Sequence, residues 1–286
     1  MNRLTPAQRV REALSAAGHD PLKSLSQNFM IDPNILERVA EATGVGEGDH
    51  VLEIGPGPGV LTALLLERGA SVRAIELDCA MAGYLRVAFT GERLELIVGD
   101  VLSMSLDSLL GSGQRWTIAS NLPYSISTPL LYELPAVAQR LNRVVLTLQR
   151  EVAERACAGP GHPARGAVSA MIRRRFDARI LRRIPAAAFL PAPKVESALL
   201  ELQPRAAQEG EATRESYRTL VRAAFGLRRK VISGALTMGP DALPRDVVED
   251  LLRAGALTGR ERAETVSEVQ FEAMARELDR IKGVGE

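Results

Sequence analysis

From residue 51 the chain reads VLEIGPGPGVLTALLLERGASVRAIEL: a short apolar strand, a loop of alternating glycine and proline, a helix apolar on one face, and a second apolar strand. A strand that feeds a helix and returns as a strand closes by a crossover, so the two strands pair in parallel. No other feature restricts the fold as much. The alternation continues with a helix over DCAMAGYLRVAF, strands over LELIVG and RWTIAS, a segment STPLLYELPAVAQR that reads as helical at its start, and a strand over RVVLTLQ. This pattern predicts an α/β fold, a mostly parallel sheet covered on both faces. QREVAERACAG reads as a helix, and RILRRI and SALLELQ as strands that finish the sheet.

A chain of 286 residues can bury one larger core and one small one. The polar stretch QPRAAQEGEATRES reads as a linker, and beyond it apolar residues recur at helical spacing with no strand signal. Residues 23–203 are therefore expected to form the α/β domain, and residues 204–286 a linker and small all-helical domain. Residues 1–22 read as a helical extension. Thr5 can cap a helix, Pro6 suits its first turn, Gln8 completes a capping box and Gly18 stops it. Those signals favour a folded helix over a transit peptide, despite Arg3, Arg9 and Arg11.

No apolar run approaches the roughly 20 residues of a membrane helix. Cys79 and Cys157 lie far apart, and His19, His50 and His162 are scattered. That spacing suits reduced thiols and loop histidines in a cytoplasmic protein, with no metal site and no histidine-based triad. The net charge of +1 leaves nucleic-acid binding open, because local patches decide it.

The loop EIGPGPGV follows the first strand and opens a helix. Gly55, Gly57 and Gly59 permit a tight turn and a close backbone approach to a ligand. Glu76, at the end of the next strand, can take both hydroxyls of a ribose. Alone, such a motif is a tight turn beside a solvated acid; the strand before it and the helix after it favour a nucleotide site. The spacing is not the dinucleotide form, and the lysine of a triphosphate loop is absent. Pro56 and Pro58 remove N–H donors that a pyrophosphate would use. A cofactor with a ribose and no phosphate fits better, and S-adenosylmethionine is such a cofactor. Asp100 can then accept from an adenine amino group, cap a helix, or do both.

NLPY, residues 121–124, ends the strand RWTIAS. An amino group conjugated to an aromatic ring is a poor nucleophile, and a sulfonium methyl is already activated. Such a transfer needs no strong base. It needs two acceptors to hold the amine, here the side chain of Asn121 and the carbonyl of Leu122. Pro123 disfavours the helical conformation for Leu122, and Tyr124 can stack on a flat ring. The plain alternative is a proline turn with an asparagine cap.

Together, KSLSQNFMID, EIGPGPG, NLPYSIST, LQREVAER, FLPAPKVESALL and RAETVS resemble the bacterial small-subunit (16S) rRNA adenine dimethyltransferases, over residues 23 to about 275. The resemblance implies a Rossmann-like class I methyltransferase domain and a small helical C-terminal domain. It implies dimethylation of two adjacent adenosines near the 3′ end of 16S rRNA, free or in a small-subunit assembly intermediate, by S-adenosylmethionine. It further implies that Asn28, Met30, Gly55, Gly57, Glu76, Asp100 and Asn121 line the cofactor pocket, and that Phe189 stacks on the target base opposite Tyr124. Two positions depart from the pattern: Ser26 stands where the family often has glycine, and Ala192 interrupts a proline run.

Residues 165–183 hold seven arginines, Arg165, Arg173, Arg174, Arg175, Arg179, Arg182 and Arg183, against one acid, Asp177; FGLRRK adds Arg228, Arg229 and Lys230. A charge run alone is usually a solvated face. Beside a base-methylating site, phosphate contact is the better expectation. Two other readings share the motifs: a large-subunit rRNA dimethyltransferase of the macrolide-resistance type, and a mainly non-catalytic ribosome-assembly factor. Near-neutral charge and RAETVS favour the small-subunit reading, with the protein acting as a monomer.

Overall fold

The computed structural model describes residues 4–18, 28–91, 93–207 and 210–283. Ser26 lies outside them. The chain divides into two compact units, residues 1–153 with 177–204, and residues 154–176 with 205–286.

The first unit is built on a seven-stranded sheet. In chain order its strands are β2 (His50–Ile54), β3 (Ser71–Glu76), β4 (Leu94–Val98), β5 (Trp116–Asn121), β6 (Leu141–Gln149), β7 (Phe176–Ile184) and β9 (Ser197–Pro204), in spatial order β4-β3-β2-β5-β6-β9-β7. The pairs β4–β3, β3–β2, β2–β5 and β5–β6 are parallel, and β6–β9 is antiparallel. The predicted crossover helices are present as α3 (Val60–Glu67), α4 (Cys79–Ala88) and α6 (Tyr124–Val137), and a short α5 (Leu106–Leu109), which the sequence reading did not include, lies between β4 and β5. The strand order reverses between β2 and β5, which places a crevice at the carboxyl ends of the strands. Val51, Leu52 and Ile54 are fully buried in β2. Each contributes about 1.5–3 kcal/mol from burial.

Two elements ahead of the sheet frame this crevice. Helix α2 (Pro33–Thr43) starts where Asp32 Oδ1 accepts from the amides of Asn34 (2.9 Å) and Ile35 (3.1 Å). Strand β1 (Phe29–Met30) pairs antiparallel with β8 (Phe189–Leu190), matching Met30 with Phe189. This small ribbon carries no alternation long enough to be read from sequence. Helix α1 (Pro6–Ala17) has the expected capping box between Thr5 and Gln8 and the left-handed Gly18. It is no detached extension, because Val10 and Ala13 are buried with Phe29 and Met81.

The second unit is helical: α8 (Ala167–Arg175), α9 (Arg214–Gly226), α10 (Ile232–Met238), α11 (Arg245–Ala254) and α12 (Glu268–Lys282). The helix α7 (Arg150–Cys157) spans the point where the chain first passes between units. The units therefore differ from the contiguous boundaries at residues 23, 203 and 204. Residues 154–176 cluster with the C-terminal helices: α8 packs on α9, and the buried Tyr217 hydroxyl donates to the carbonyl of Ala170 at 3.2 Å. Helix α6 begins at Tyr124 and continues through Pro129 and Pro135, beyond the short helical start expected there.

Candidate active site

Four parallel strands deliver their last residues to one crevice. Gly55 follows β2, Glu76 ends β3, Asp100 lies just past β4 and Asn121 ends β5. Gly55, Gly57 and Gly59 have φ of 65°, 52° and 75°, the left-handed region that favours glycine. At Gly57 a Cβ would also lie 2.9 Å from the Phe29 ring, and at Gly55 3.4 Å from Pro123.

The donors of this loop are already committed. Gly55 N–H donates to Ile75 O (2.8 Å), Gly59 N–H to Pro56 O (2.9 Å), and Gly57 N–H to Glu76 Oε2 (2.9 Å). Pro56 and Pro58 have none. The loop thus offers no cradle of free N–H groups to a pyrophosphate, which agrees with a cofactor lacking phosphates.

Glu76 does more than the sequence suggests. Its Oε2 accepts from Gly57 and its Oε1 accepts from the amide of Asp78 at 2.9 Å, so it clamps the glycine loop to the end of β3. Burial raises its carboxyl above the ordinary range, opposed by those two amides. Each oxygen keeps a lone pair for a ribose hydroxyl. Asp100 caps the turn Val101–Ser103 through Oδ1, which accepts from Leu102 N–H at 2.9 Å. Its other oxygen stays available at the edge of a largely apolar slot formed with Ile75, Leu77, Val101 and Ile126.

The neighbouring cavity, which opens to solvent, shares Gly55, Glu76 and Pro123 with that slot and is lined as well by Asn28, Met30, Asn121, Leu122 and Tyr124. Asn121 Nδ2 donates to the backbone carbonyl of Asn28 at 2.9 Å. A carbonyl only accepts, so this bond decides which way the amide is turned and leaves Oδ1 as its open acceptor. Leu122 is buried, and its N–H donates to Thr147 O at 3.0 Å, fixing NLPY to strand β6. Tyr124, at the start of α6, has its hydroxyl 2.6 Å from Ser197 Oγ.

Three polar residues of this region are given no role by the sequence reading. Glu53 lines the cavity, is 2% exposed, and has its carboxyl pushed up to about 8, mainly by burial. The Thr62 hydroxyl donates to it at 2.7 Å. The signal was an acid inside the apolar strand VLEI. Thr147, in β6, lines the cavity with its hydroxyl buried and unpartnered among the described residues. Ser197, fully buried, is the third.

Other expected residues are placed differently. Phe189 is 3% exposed and packs in the core with Met30 and Leu199. That burial gives no support to its expected stacking role, which stays an expectation. Two arginines, Arg165 and Arg174, are corrected, because they serve the second unit's interior, while Arg173 and Arg175 are partly exposed. Arg165 is fully buried and donates to Glu268 Oε1 (2.8 Å), Val266 O (2.8 Å) and Ala158 O (3.3 Å). Arg174 donates to Glu272 (2.9 Å) and Ala212 O (2.6 Å) with its guanidinium over Tyr217. Arg173 pairs with Glu268, and Arg175 with Glu211. In the first unit, Arg179 is exposed yet paired with the buried Glu201. Arg182, Arg183, Arg228, Arg229 and Lys230 are exposed.

The parallel sheet with its reversal, the phosphate-free glycine loop and the asparagine turn beyond β5 define a Rossmann-like methyltransferase. The profile of the family described as "Ribosomal RNA adenine dimethylase" matches residues 18–279. The chain belongs to that family and is an S-adenosylmethionine-dependent rRNA adenine dimethyltransferase. A relative from Thiobacillus denitrificans, named "Ribosomal RNA small subunit methyltransferase A", is 41% identical over 242 residues, covering 84% of this chain and 94% of its own length. One of the same name from Phenylobacterium zucineum is 39% identical over 268 residues, covering 93% and 91%. Among solved structures, a dimethyladenosine transferase from Plasmodium falciparum superposes with a TM-score of 0.72 at 23% identity, covering 89% of this chain and 98% of that one. The 23S rRNA methyltransferase ErmE gives 0.62 at 24% identity, covering 88% and 100%. At these identities the structural likeness speaks for the fold. No helix among the described residues is long and apolar enough to cross a membrane.

Proposed function

We propose that the chain dimethylates two adjacent adenosines near the 3′ end of 16S rRNA, acting as a monomer in the cytoplasm on the RNA or a small-subunit assembly intermediate. Relatives at up to 41% identity that carry the small-subunit name support that choice of RNA. The observation that carries the chemistry is Asn121, whose amide is held by Asn28 O with its acceptor open beside the glycine loop.

Bound S-adenosylmethionine supplies a methyl group already activated on a sulfonium. Glu76 holds the ribose, Asp100 the adenine edge, and Asn28 and Met30 line the wall. Asn121 Oδ1 and the Leu122 carbonyl accept the two N–H bonds of the unmethylated amine, leaving its nitrogen lone pair for the methyl; each transfer breaks the S–CH3 bond and releases one proton from that nitrogen, so one N–H remains to be held in the second round. Orientation of this kind is worth about 7–11 kcal/mol when complete. Tyr124 receives the face of the unstacked base, a contact worth about 1–3 kcal/mol. The test maps reverse-transcription stops in rRNA from cells with and without the gene. Stops lost from small-subunit rRNA are expected; stops lost only from large-subunit rRNA would overturn the choice of substrate.

A further inference from the structure

We propose that Ser197 is a positioning residue for Tyr124, its hydroxyl pinning the phenol so that the ring is set in place before the base arrives. This rests on the reading that Tyr124 stacks on the target adenine. The two residues are 73 positions apart and meet at 2.6 Å. Ser197 is fully buried at the start of β9, paired with Gln149 of β6, and the carbonyl just before it, that of Glu196, accepts from Arg150 N–H at 3.0 Å. It is a fixed point. Tyr124 is fixed at its other end, following Pro123 (φ −54°) at the first turn of α6. A ring held at both Cα and hydroxyl cannot swing edge-on. Its polar end is turned to the protein, so a ligand in the cavity meets carbon. Burial holds the phenol above its usual range, so it remains protonated and able to share a hydrogen with Ser197.

Pinning the ring in advance spares the ordering of one side chain during binding, a saving of about three- to tenfold in rate or affinity. The experiment is a double-mutant cycle of Ser197→Ala and Tyr124→Phe, read as single-turnover methyl transfer at saturating cofactor. Each single change is expected to slow transfer about three- to tenfold, and the double change no further, with S-adenosylmethionine affinity by calorimetry unchanged. Losses that multiply in the double variant, or a wild-type rate in Ser197→Ala, would overturn the proposal. Tyr124→Phe is conservative and half-buried, so a wild-type rate there refutes it even if Ser197→Ala fails to fold. Tyr124→Ala separates the two readings. A wild-type rate in that variant sinks the stacking role itself, whereas an inactive Tyr124→Ala beside a fully active Ser197→Ala sinks only the pin.

Discussion

Replacing Glu53 by glutamine should make the first unit more stable at high pH and change it little at low pH. Glu53 is 2% exposed at the end of β2, and its carboxyl is pushed from an ordinary 4.5 up to about 8. Burial is the main cause and the charge of Glu76 adds to it, while the hydroxyl and amide of Thr62 oppose it. A folded-state value above the unfolded one means that the fold favours the neutral acid. The stability this brings is fully present below about 4.5 and is lost as pH rises through about 8. At about 1.4 kcal/mol for each pH unit, the loss across that window is on the order of 4–5 kcal/mol. Glutamine keeps the shape and an acceptor for the Thr62 hydroxyl but never ionises. The single tryptophan, Trp116, is buried in β5, so urea unfolding followed by its fluorescence reports on the first unit alone. Glu53→Gln is expected within about 1 kcal/mol of wild type at pH 5, and several kcal/mol more stable at pH 8.5. A difference between the two proteins that does not change with pH would refute the reasoning.

Glu76→Gln should lower the melting temperature without cofactor, because an amide NH2 then faces a backbone donor. It should also weaken S-adenosylmethionine binding by about 1.5–3 kcal/mol in calorimetry; an unchanged melt would remove the clamp role. Asn121→Ala is expected to slow single-turnover transfer about 100- to 1000-fold, by analogy with losing one oxyanion-hole donor, with cofactor affinity affected far less. Arg165→Ala should cost about 3–5 kcal/mol of stability by removing a fully buried guanidinium and leaving the carbonyls of Val266 and Ala158 without their donor, seen as a lower urea midpoint by far-UV circular dichroism. Arg182→Ala and Arg229→Ala should leave that midpoint unchanged and each flatten the log-affinity against log-salt slope for RNA by about 0.7–0.9.

The cofactor crevice was legible in the sequence because its parts are local. A strand, a glycine loop and a helix adjoin in one stretch, and the acid that serves them ends the next strand. NLPY was legible for the same reason. Its supports were not, since each is brought in by tertiary pairing. Asn28 lies 93 positions from Asn121, and Ser197 73 positions from Tyr124. Asn28 and Ser197 belong to motifs that the sequence displays, but no spacing says that one turns an amide and the other holds a phenol. Phe189 shows the reverse case. Its motif is visible, while its burial depends on the β1–β8 ribbon, two residues a side and too short for any periodicity. Helix α8 was not read from the sequence, which assigned no element between QREVAERACAG and RILRRI, and its allegiance to the second unit rests on its packing against α9.

The arginine-rich stretch shows how charge is misread along a chain. Counted locally, residues 165–183 are strongly basic with a single acid. In the folded second unit the counter-charges come from far away: Glu268 is 103 positions from Arg165, and Glu272 98 positions from Arg174. Burying a guanidinium is costly unless a carboxylate and carbonyls satisfy its fork. Arg165 meets that condition at its two terminal nitrogens, with one carboxylate and two carbonyls, and Arg174 with one carboxylate and one carbonyl. These side chains cannot reach a phosphate while the unit is folded. A near-neutral chain can still bind RNA if some of its cations are buried against carboxylates and others lie at the surface. Arg182 and Arg183 on β7, and Arg228, Arg229 and Lys230 after α9, meet the second condition. The salt dependence of RNA binding should therefore count arginines at the surface, not arginines in the sequence.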